Sequence, residues 1–303
     1  MTTARPGALL MTYGSPASLD REDVRAYLAR VRNGREPDRS LVDEFARRYR
    51  VIGGSPLIGI TRRQAAALEA ALGWPVEVGM RFSDPSIEAG IRALGDRDVT
   101  DVAAIVLSPQ YSPLLMGGYA GAIDTARASI GSGAPSVAVA GAWHLQPSFV
   151  GALAARTRDA LERTAPSARA ATRVLMTAHS LPRRVAEQEP GYLAQLRATA
   201  EAVAGGAGLT VADWTFCWQS AGHEPGEWMK PDFADLMPDI AAAGGRSVLV
   251  VPVQFLADHL ETLYDVDVGA REQADAHGLA FRRVPSLNGA SGGCEQLCCE
   301  LGR

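Results

Sequence analysis

Short apolar runs of strand length alternate with amphipathic segments of helix length along nearly the whole chain. The strand-like runs cover residues 8–12, 76–80, 102–107 and 136–140 in the first half, and 173–177, 210–217, 247–255 and 280–282 in the second. Strands separated by helical segments favour βαβ units, in which the strands pair in parallel. We therefore predict an α/β fold of two Rossmann-like domains, residues 1–148 and 149–303, each with a four-stranded parallel sheet flanked by helices. A ligand crevice would lie outside the carboxyl ends of the strands.

Local signals predict where some of the helices begin. Thr61 and Gln64 have the spacing of a capping box, which predicts a helix start at Thr61. Asp84 followed by Pro85 predicts an N-cap with proline in the first turn. Near the C-terminus, Cys294 and the apolar residues that follow it at helical spacing predict a short helix in the second domain.

Charge and hydropathy exclude two classes of protein. The 303 residues carry a formal net charge of −4, whereas nucleic-acid binding favours a concentrated basic face. No run approaches the roughly 18 apolar residues of a membrane-spanning helix, and no apolar signal core precedes the first strand. We predict a cytoplasmic protein with no integral membrane segment.

Arginine is concentrated between residues 21 and 63, where eleven arginines accompany six acidic residues. Because arginine forks suit carboxylates, an anionic ligand near this segment is one interpretation. The other is a bias of composition, since Lys230 is the only lysine in the chain. Both interpretations stay open on the sequence alone.

A histidine and a carboxylate each follow a strand-like run. His179 follows the run 173–177, and Glu261 follows the run 247–255. Histidine is a common general base and metal ligand, although a single histidine after a strand is more often an ordinary loop residue. If the two strands are neighbours, the imidazole and the carboxylate would lie on facing walls of one crevice. There they could accept protons and meet a divalent metal.

Two further acids share the helical spacing of Glu261. Asp258, Glu261 and Asp265 fall at i, i+3 and i+7, which on an α-helix places them on one face. Such an acidic face usually does no more than contact solvent, but this one begins at a predicted strand end, next to the predicted crevice. The ligands are too few for a permanent structural metal site, so we predict a weak, transient contact with a metal.

Polar and aromatic residues follow three other runs, at 13–16, 108–112 and 218–222. Loops between strands and helices commonly have this composition. Five such strand ends that converge nevertheless predict a flat cleft lined by aromatic residues.

Taken together, these motifs resemble those of the ferrochelatases, over residues 9 to about 288. The segments that carry the resemblance are 13–16 (YGSP), 32–35 (RNGR), 52–57 (IGGSPL), 79–81 (GMR), 108–112 (SPQYS), 178–182 (AHSLP), 218–220 (WQS) and 257–265 (ADHLETLYD). The resemblance implies a chelatase-like fold and a lyase of heme biosynthesis that inserts its substrate Fe²⁺ into a porphyrin. It also implies a π-type turn in the helix that contains Glu261.

The resemblance assigns roles to residues of this chain by their positions in the motifs. His179 and Glu261 match the pair that handles metal and protons, and they are the predicted catalytic residues. Tyr13 matches a tyrosine at the other face of the metal. The predicted substrate-binding residues are Tyr13, Arg30, Arg32, Ser55, Tyr119 and Trp228. Tyr13 and the short N-terminus favour coproporphyrin III, giving coproheme, over protoporphyrin IX.

The chain contains four cysteines, Cys217, Cys294, Cys298 and Cys299. Some ferrochelatases carry a 2Fe–2S cluster bound by four cysteine thiolates, which makes the number suggestive. The spacing argues against a cluster, and Cys294 and Cys298, together with Leu297 and Leu301, also fit the apolar face of a short helix. A cluster is therefore the less favoured interpretation.

Other functions remain open on the sequence. A chelatase for another metal or tetrapyrrole, such as a cobalt enzyme acting on sirohydrochlorin, would share the fold. A non-catalytic carrier of tetrapyrrole or metal would not need the proton acceptor that His179 and Glu261 provide. The expected partners are the porphyrin substrate and an iron donor or other enzymes of the heme pathway.

Overall fold

Two four-stranded sheets organise the computed structural model, which describes residues 4–222 and 226–289. The first sheet contains β1 (Pro6–Thr12), β2 (Val76–Met80), β3 (Asp101–Val106) and β4 (Ser136–Val139), and the second contains β5 (Thr172–His179), β6 (Trp214–Gln219), β7 (Ser247–Pro252) and β8 (Ala280–Arg283). Both sheets are parallel throughout, with the orders β2-β1-β3-β4 and β6-β5-β7-β8. The predicted α/β fold with two Rossmann-like sheets is confirmed.

Helices connect the strands. Around the first sheet they are α1 (Arg21–Val31), α2 (Arg39–Val51), α3 (Leu57–Leu72), α4 (Ile87–Asp96) and α5 (Pro113–Ile130). The later helices are α6 (Pro147–Glu162), α7 (Pro166–Arg169), α8 (Arg183–Gln188), α9 (Pro190–Gly206), α10 (Phe233–Ala242), a π-helix (Glu261–Ala270) and α11 (Arg271–Ala276). None of the helices in the described ranges is long and apolar enough to cross a bilayer.

The apolar character of β1 and β7, a central strand in each sheet, follows from their burial on both faces. All six residues of β7 are buried, and so are six of the seven residues of β1. Helices cover both faces of a parallel sheet, which is why such strands read as nearly continuous apolar runs. Helix α6 packs with α9, β5 and β7 in one core cluster, and so belongs with the second sheet. The boundary between residues 148 and 149 stays a prediction.

Two of the predicted helix starts are wrong. Helix α3 begins at Leu57, four residues before Thr61, and the Thr61 hydroxyl donates to the Leu57 carbonyl inside the helix. The cap of α4 is Ser86, whose side chain accepts from the Ala89 amide, rather than Asp84. At α4 one local signal, the Ser86 cap, prevails over another. At α3 the buried Leu57 lies inside the helix, so the helix begins before the predicted cap.

The predicted strand at 210–217 begins later than its sequence suggests. Asp213 accepts hydrogen bonds of 2.7 Å from the amide and the hydroxyl of Thr210, and this turn delays β6 until Trp214. Such local side-chain bonds compete with strand formation. The predicted C-terminal helix lies outside the described residues.

Candidate active site

One cavity of about 460 Å³ lies where the carboxyl ends of strands from both sheets meet. The strand order of each sheet reverses between its two central strands, β1 and β3 or β5 and β7. Open α/β sheets bind ligands at such switch points, and the volume is within the range of small-molecule sites. Its walls include Tyr13, Ser55, Arg81, Ser108, Tyr119, His179, Gln254, Phe255, His259 and Glu261.

His179 is the last residue of β5, and neighbouring strands fix its position. Its backbone amide donates to Gln254 Oε1 at 2.7 Å, and Gln254 Nε2 in turn donates to the Tyr192 hydroxyl at 2.8 Å. The ring atom Nδ1 contacts the carbonyl oxygen of Ser180. A proton on Nδ1 would donate to that carbonyl, which leaves Nε2 directed towards Glu261.

The carboxylate of Glu261 lies between two imidazoles. Its Oε1 is 3.6 Å from His179 Nε2, and its Oε2 is 3.4 Å from His259 Nε2. Gln219 donates to the Glu261 backbone carbonyl at 3.2 Å. His179 and Glu261 are therefore side by side, and the expectation that they occupy facing walls is wrong. The reason is that the π-helix begins at Glu261 itself, beside the end of β5.

The two histidines hold Glu261 in its charged form. Burial by itself would raise the pKa of Glu261, but the charges of His179 and His259 and the hydrogen bond from His259 outweigh it and lower the pKa to about 2. Burial likewise opposes the charged form of His259, and the bond and charge of Glu261 prevail, so the pKa of His259 is raised. Below the raised pKa of His259, this residue and Glu261 form a pair of an imidazolium and a carboxylate.

We expect the His259–Glu261 pair to stabilise the fold most between about pH 4.5 and 6.5. The raised pKa of His259 gives a contribution that is complete below its unfolded value of 6.5 and disappears as the pH rises through the folded value. The lowered pKa of Glu261 gives a contribution that is complete above 4.5 and disappears as the pH falls through about 2. Urea unfolding of the wild type and of His259→Gln across this range measures the difference in free energy.

The matched baseline for that experiment is His277→Gln, an exposed position at the end of α11. The difference between wild type and His259→Gln should shrink as the pH rises above 6.5. A difference that instead grows in that range would contradict the assignment of the pair.

The three acids predicted to share a helix face do not act alike. Asp258 precedes the π-helix and turns away from the cavity to pair with Arg283 at 3.0 Å. Asp265 lies 3.4 Å from Arg48, and burial together with the charge of Glu261 raises its pKa despite a hydrogen bond from Ser220. Residues at i, i+3 and i+7 share a face on an α-helix, but a π-helix has more residues in each turn. Of the three acids, only Glu261 and Asp265 therefore lie on one helix and close to each other.

The wall contributed by the first sheet is aromatic and cationic. The Tyr13 ring meets that of Phe82 edge-on at 4.6 Å, and the Arg81 guanidinium lies 4.7 Å from the Phe82 ring and 5.3 Å from the Tyr119 ring. Tyr13 is 45% exposed, and it lines the cavity. Burial raises the pKa of Tyr13, the charge of Glu261 adds to this, and Arg81 opposes it. The phenol therefore stays neutral near neutral pH.

The predicted substrate-binding residues fall into two groups. Tyr13, Ser55 and Tyr119 line the cavity. Arg30 and Arg32 flank Val31, a lining residue, but do not themselves line it. Trp228 is half-buried, with its ring centroid 6.4 Å from that of His179. Their roles stay predictions.

Four of the five predicted strand ends reach the cavity: those of β1, β3, β5 and β7. The end of β6 does not, because Trp218 is 2% exposed and packs in a core cluster. Its neighbour Gln219 is also buried, and its side-chain amide donates to the backbone carbonyl of Glu261. The end of β2 reaches the cavity instead, through Arg81.

Sequence reasoning missed several lining residues, of which His259 and Arg81 are the most informative. Both stand inside segments that carried the family resemblance, at 257–265 and 79–81. Two sequence signals could have identified them: His259 stands two residues from Glu261, and Arg81 directly follows a buried strand. The hydrogen bond from Gln254 to Tyr192 had no signal, since the two are 62 residues apart.

Of the four cysteines, the structure describes Cys217 alone. It is fully buried among Leu175, Val248 and Phe233, and burial raises the pKa of its thiol. Cluster ligands are thiolates, so this apolar position fits a core residue and not an iron ligand. Cys294, Cys298 and Cys299 lie outside the described residues. We derive no step through a cluster.

Within residues 4–222 and 226–289, no three His, Cys, Asp or Glu side chains converge on a possible metal position. His179 and Glu261 supply one nitrogen and one carboxylate, a donor set suited to a borderline divalent ion. So small a set fits a metal that passes through as substrate better than one held permanently.

Solved structures with this fold include the sirohydrochlorin chelatase from Bacillus subtilis subspecies spizizenii in complex with cobalt. The TM-score is 0.57 at 12% sequence identity, and the match covers 99% of this chain and 94% of that one. The architecture is thus that of the chelatases.

Sequence comparison defines the family more narrowly. The ferrochelatase family model matches residues 5–298. A ferrochelatase from Deinococcus radiodurans is 36% identical over 295 residues, covering 95% of this chain and 92% of that protein. A coproporphyrin III ferrochelatase from Halalkalibacterium halodurans is 33% identical, with coverages of 95% and 93%. The chain belongs to the ferrochelatase family, whose members are lyases that insert a metal into a porphyrin.

Proposed function

We propose that the protein inserts Fe²⁺ into coproporphyrin III, giving coproheme, in the cytoplasm. The observation that favours this substrate is a cationic side chain, Arg81, in the wall that the first sheet contributes to the cavity. Among residues 4–222 and 226–289, the Arg81 guanidinium has no ion pair or hydrogen bond and contacts the aromatic rings of Phe82 and Tyr119 instead. Coproporphyrin III carries four carboxylates, whereas protoporphyrin IX carries two and replaces the others by vinyl groups.

Arg32 at the edge of the cavity supports the same substrate. Its Nε is buried without a hydrogen-bond partner in the part of the chain that the structure describes. A guanidinium with unused donors recognises carboxylates by paired hydrogen bonds. The similarity to proteins named coproporphyrin III ferrochelatase, at 31–33% identity, points in the same direction.

The reaction exchanges two pyrrole protons for one Fe²⁺. In our proposal His179 Nε2 accepts a pyrrole proton, as a positioned general base. Glu261, 3.6 Å away, stabilises the imidazolium that results, and its other oxygen stays paired with His259. The imidazolium then releases its proton to solvent, so that Nε2 can accept the second pyrrole proton in the same way. Tyr13 approaches the ring from the first sheet with a neutral phenol. The walls contributed by both sheets hold the macrocycle in place, which supplies the alignment that the exchange needs.

The test compares two porphyrins under anaerobic conditions with Fe²⁺, following the absorbance spectrum. We expect kcat/KM to favour coproporphyrin III over protoporphyrin IX by about tenfold or more, since one hydrogen bond to a charged group contributes roughly 1.5–3 kcal/mol. Arg81→Met should reduce that preference. Arg92→Met is the control, because Arg92 pairs with Glu88 on α4 and does not line the cavity.

Equal or faster metalation of protoporphyrin IX would contradict the assignment of the substrate. The same assay with Co²⁺ and sirohydrochlorin tests the alternative chelatase. A carrier would bind porphyrin stoichiometrically without turnover.

A further inference from the structure

A buried arginine behind the active site joins the segments on either side of Glu261. Arg283 is the last residue of β8, and its side chain is 9% exposed. It donates from Nε and Nη2 to the two oxygens of Asp267, both at 2.8 Å, and from Nη1 to Asp258 Oδ1 at 3.0 Å. Arg283 does not line the cavity.

Asn288 completes the attachment of Asp258. Its side-chain amide donates to Asp258 Oδ2 at 2.8 Å, and its Oδ1 accepts from the Asp258 backbone amide at 2.8 Å. The Asn288 backbone amide also donates to the Leu256 carbonyl at 2.7 Å. Asn288 has a φ of +51°, a left-handed conformation that asparagine tolerates better than most residues. The segment that leads into Glu261 is thus tied at several points.

We propose that Arg283 is a positioning residue: by holding Asp258 and Asp267, which lie before and after Glu261, it sets the winding of the π-helix and keeps the Glu261 carboxylate against His179. This inference rests on the role of Glu261 in the proposed function. π-Helical turns are rare and occur mostly at functional sites. Arg283 contacts this ten-residue π-helix, Glu261–Ala270, at Asp267 and contacts the segment just before it at Asp258.

The geometry explains why arginine stands at this position. Asp267 receives two parallel bonds and Asp258 a third, which uses the planar fork of a guanidinium. A lysine would keep the charge but could not hold both carboxylates in the same arrangement. Because His179 and Glu261 are 3.6 Å apart, a small rotation of the π-helix would separate them while the rest of the cavity stays in place.

The test is Arg283→Lys in the full chain, with Arg97→Lys as the matched control. Arg97 also joins two carboxylates, Glu69 and Glu77, but does not line the cavity or contact the π-helix. For Arg283→Lys we expect kcat to fall by about 10–100-fold, as for other residues that orient a metal-handling group. Porphyrin binding, followed by fluorescence quenching, should be unchanged. Arg97→Lys should keep its kcat when both are assayed well below their unfolding midpoints.

A double-mutant cycle separates positioning from general destabilisation. If Arg283 acts through Asp258, Asp258→Asn and Arg283→Lys should together lower kcat little more than Arg283→Lys alone. Wild-type kcat in Arg283→Lys, or a loss of porphyrin binding equal to the loss of kcat, would overturn the proposal. Either porphyrin serves as substrate here, so a failure of the coproporphyrin preference leaves this test intact.

Discussion

Replacing His179 by alanine is expected to abolish metal insertion while porphyrin binding persists. The imidazole Nε2 is the basic atom directed into the region beside Glu261, and a positioned general base contributes about 10²–10⁴-fold to a rate. The ring makes only part of the cavity wall, so its loss leaves most of the porphyrin contacts. Anaerobic turnover with Fe²⁺ and a separate fluorescence titration of porphyrin measure the two properties independently.

The control for that variant is His277→Ala, since His277 is exposed directly after α11 and does not line the cavity. It should retain full turnover. Substantial residual turnover in His179→Ala would remove His179 from the reaction, and a parallel loss of porphyrin binding would reassign it to substrate binding.

Glu261→Gln is expected to lower turnover severely, by about 10²-fold or more. Glutamine has the same shape but carries no charge, so the imidazolium that forms on His179 loses the carboxylate 3.6 Å away. His259 loses its ionic partner as well. The pKa of Glu261 is lowered to about 2, so the wild-type group is charged throughout the working range. Steady-state kinetics with Fe²⁺ varied at fixed porphyrin would show the effect in kcat.

Glu272→Gln is the matched control, because Glu272 is an exposed glutamate on α11. Its kinetics should equal those of the wild type. If Glu261→Gln also turns over at the wild-type rate, the carboxylate has no part in the reaction and the case for the His179–Glu261 pair fails.

The sequence was sufficient for the sheets because their central strands, such as β1 and β7, are buried on both faces. The runs before His179 and before Glu261 correspond to β5 and β7, which are neighbours in the second sheet. Parallel strands present their carboxyl ends at the same edge. The proximity of the two functional groups was therefore predictable from the pattern of apolar runs.

The detailed geometry of the site was not predictable, because it depends on contacts far apart in the chain. Asp258 and Glu261 share a helical spacing, yet Asp258 turns away to Arg283, 25 residues later. The π-helix changes which residues share a face, and no local rule specified its ten residues. The sequence assigned no role to His259, although it stands two residues from Glu261, because only the fold shows that its Nε2 is directed at the Glu261 carboxylate.

The most direct test of the central claim is a crystal structure of the protein bound to a metalated porphyrin. We predict that the macrocycle lies in the cavity between Tyr13 and the His179–Glu261 pair, with the metal facing these side chains and carboxylates directed towards Arg81. A macrocycle bound outside this cavity, or one whose metal faces neither Tyr13 nor His179, would contradict the account.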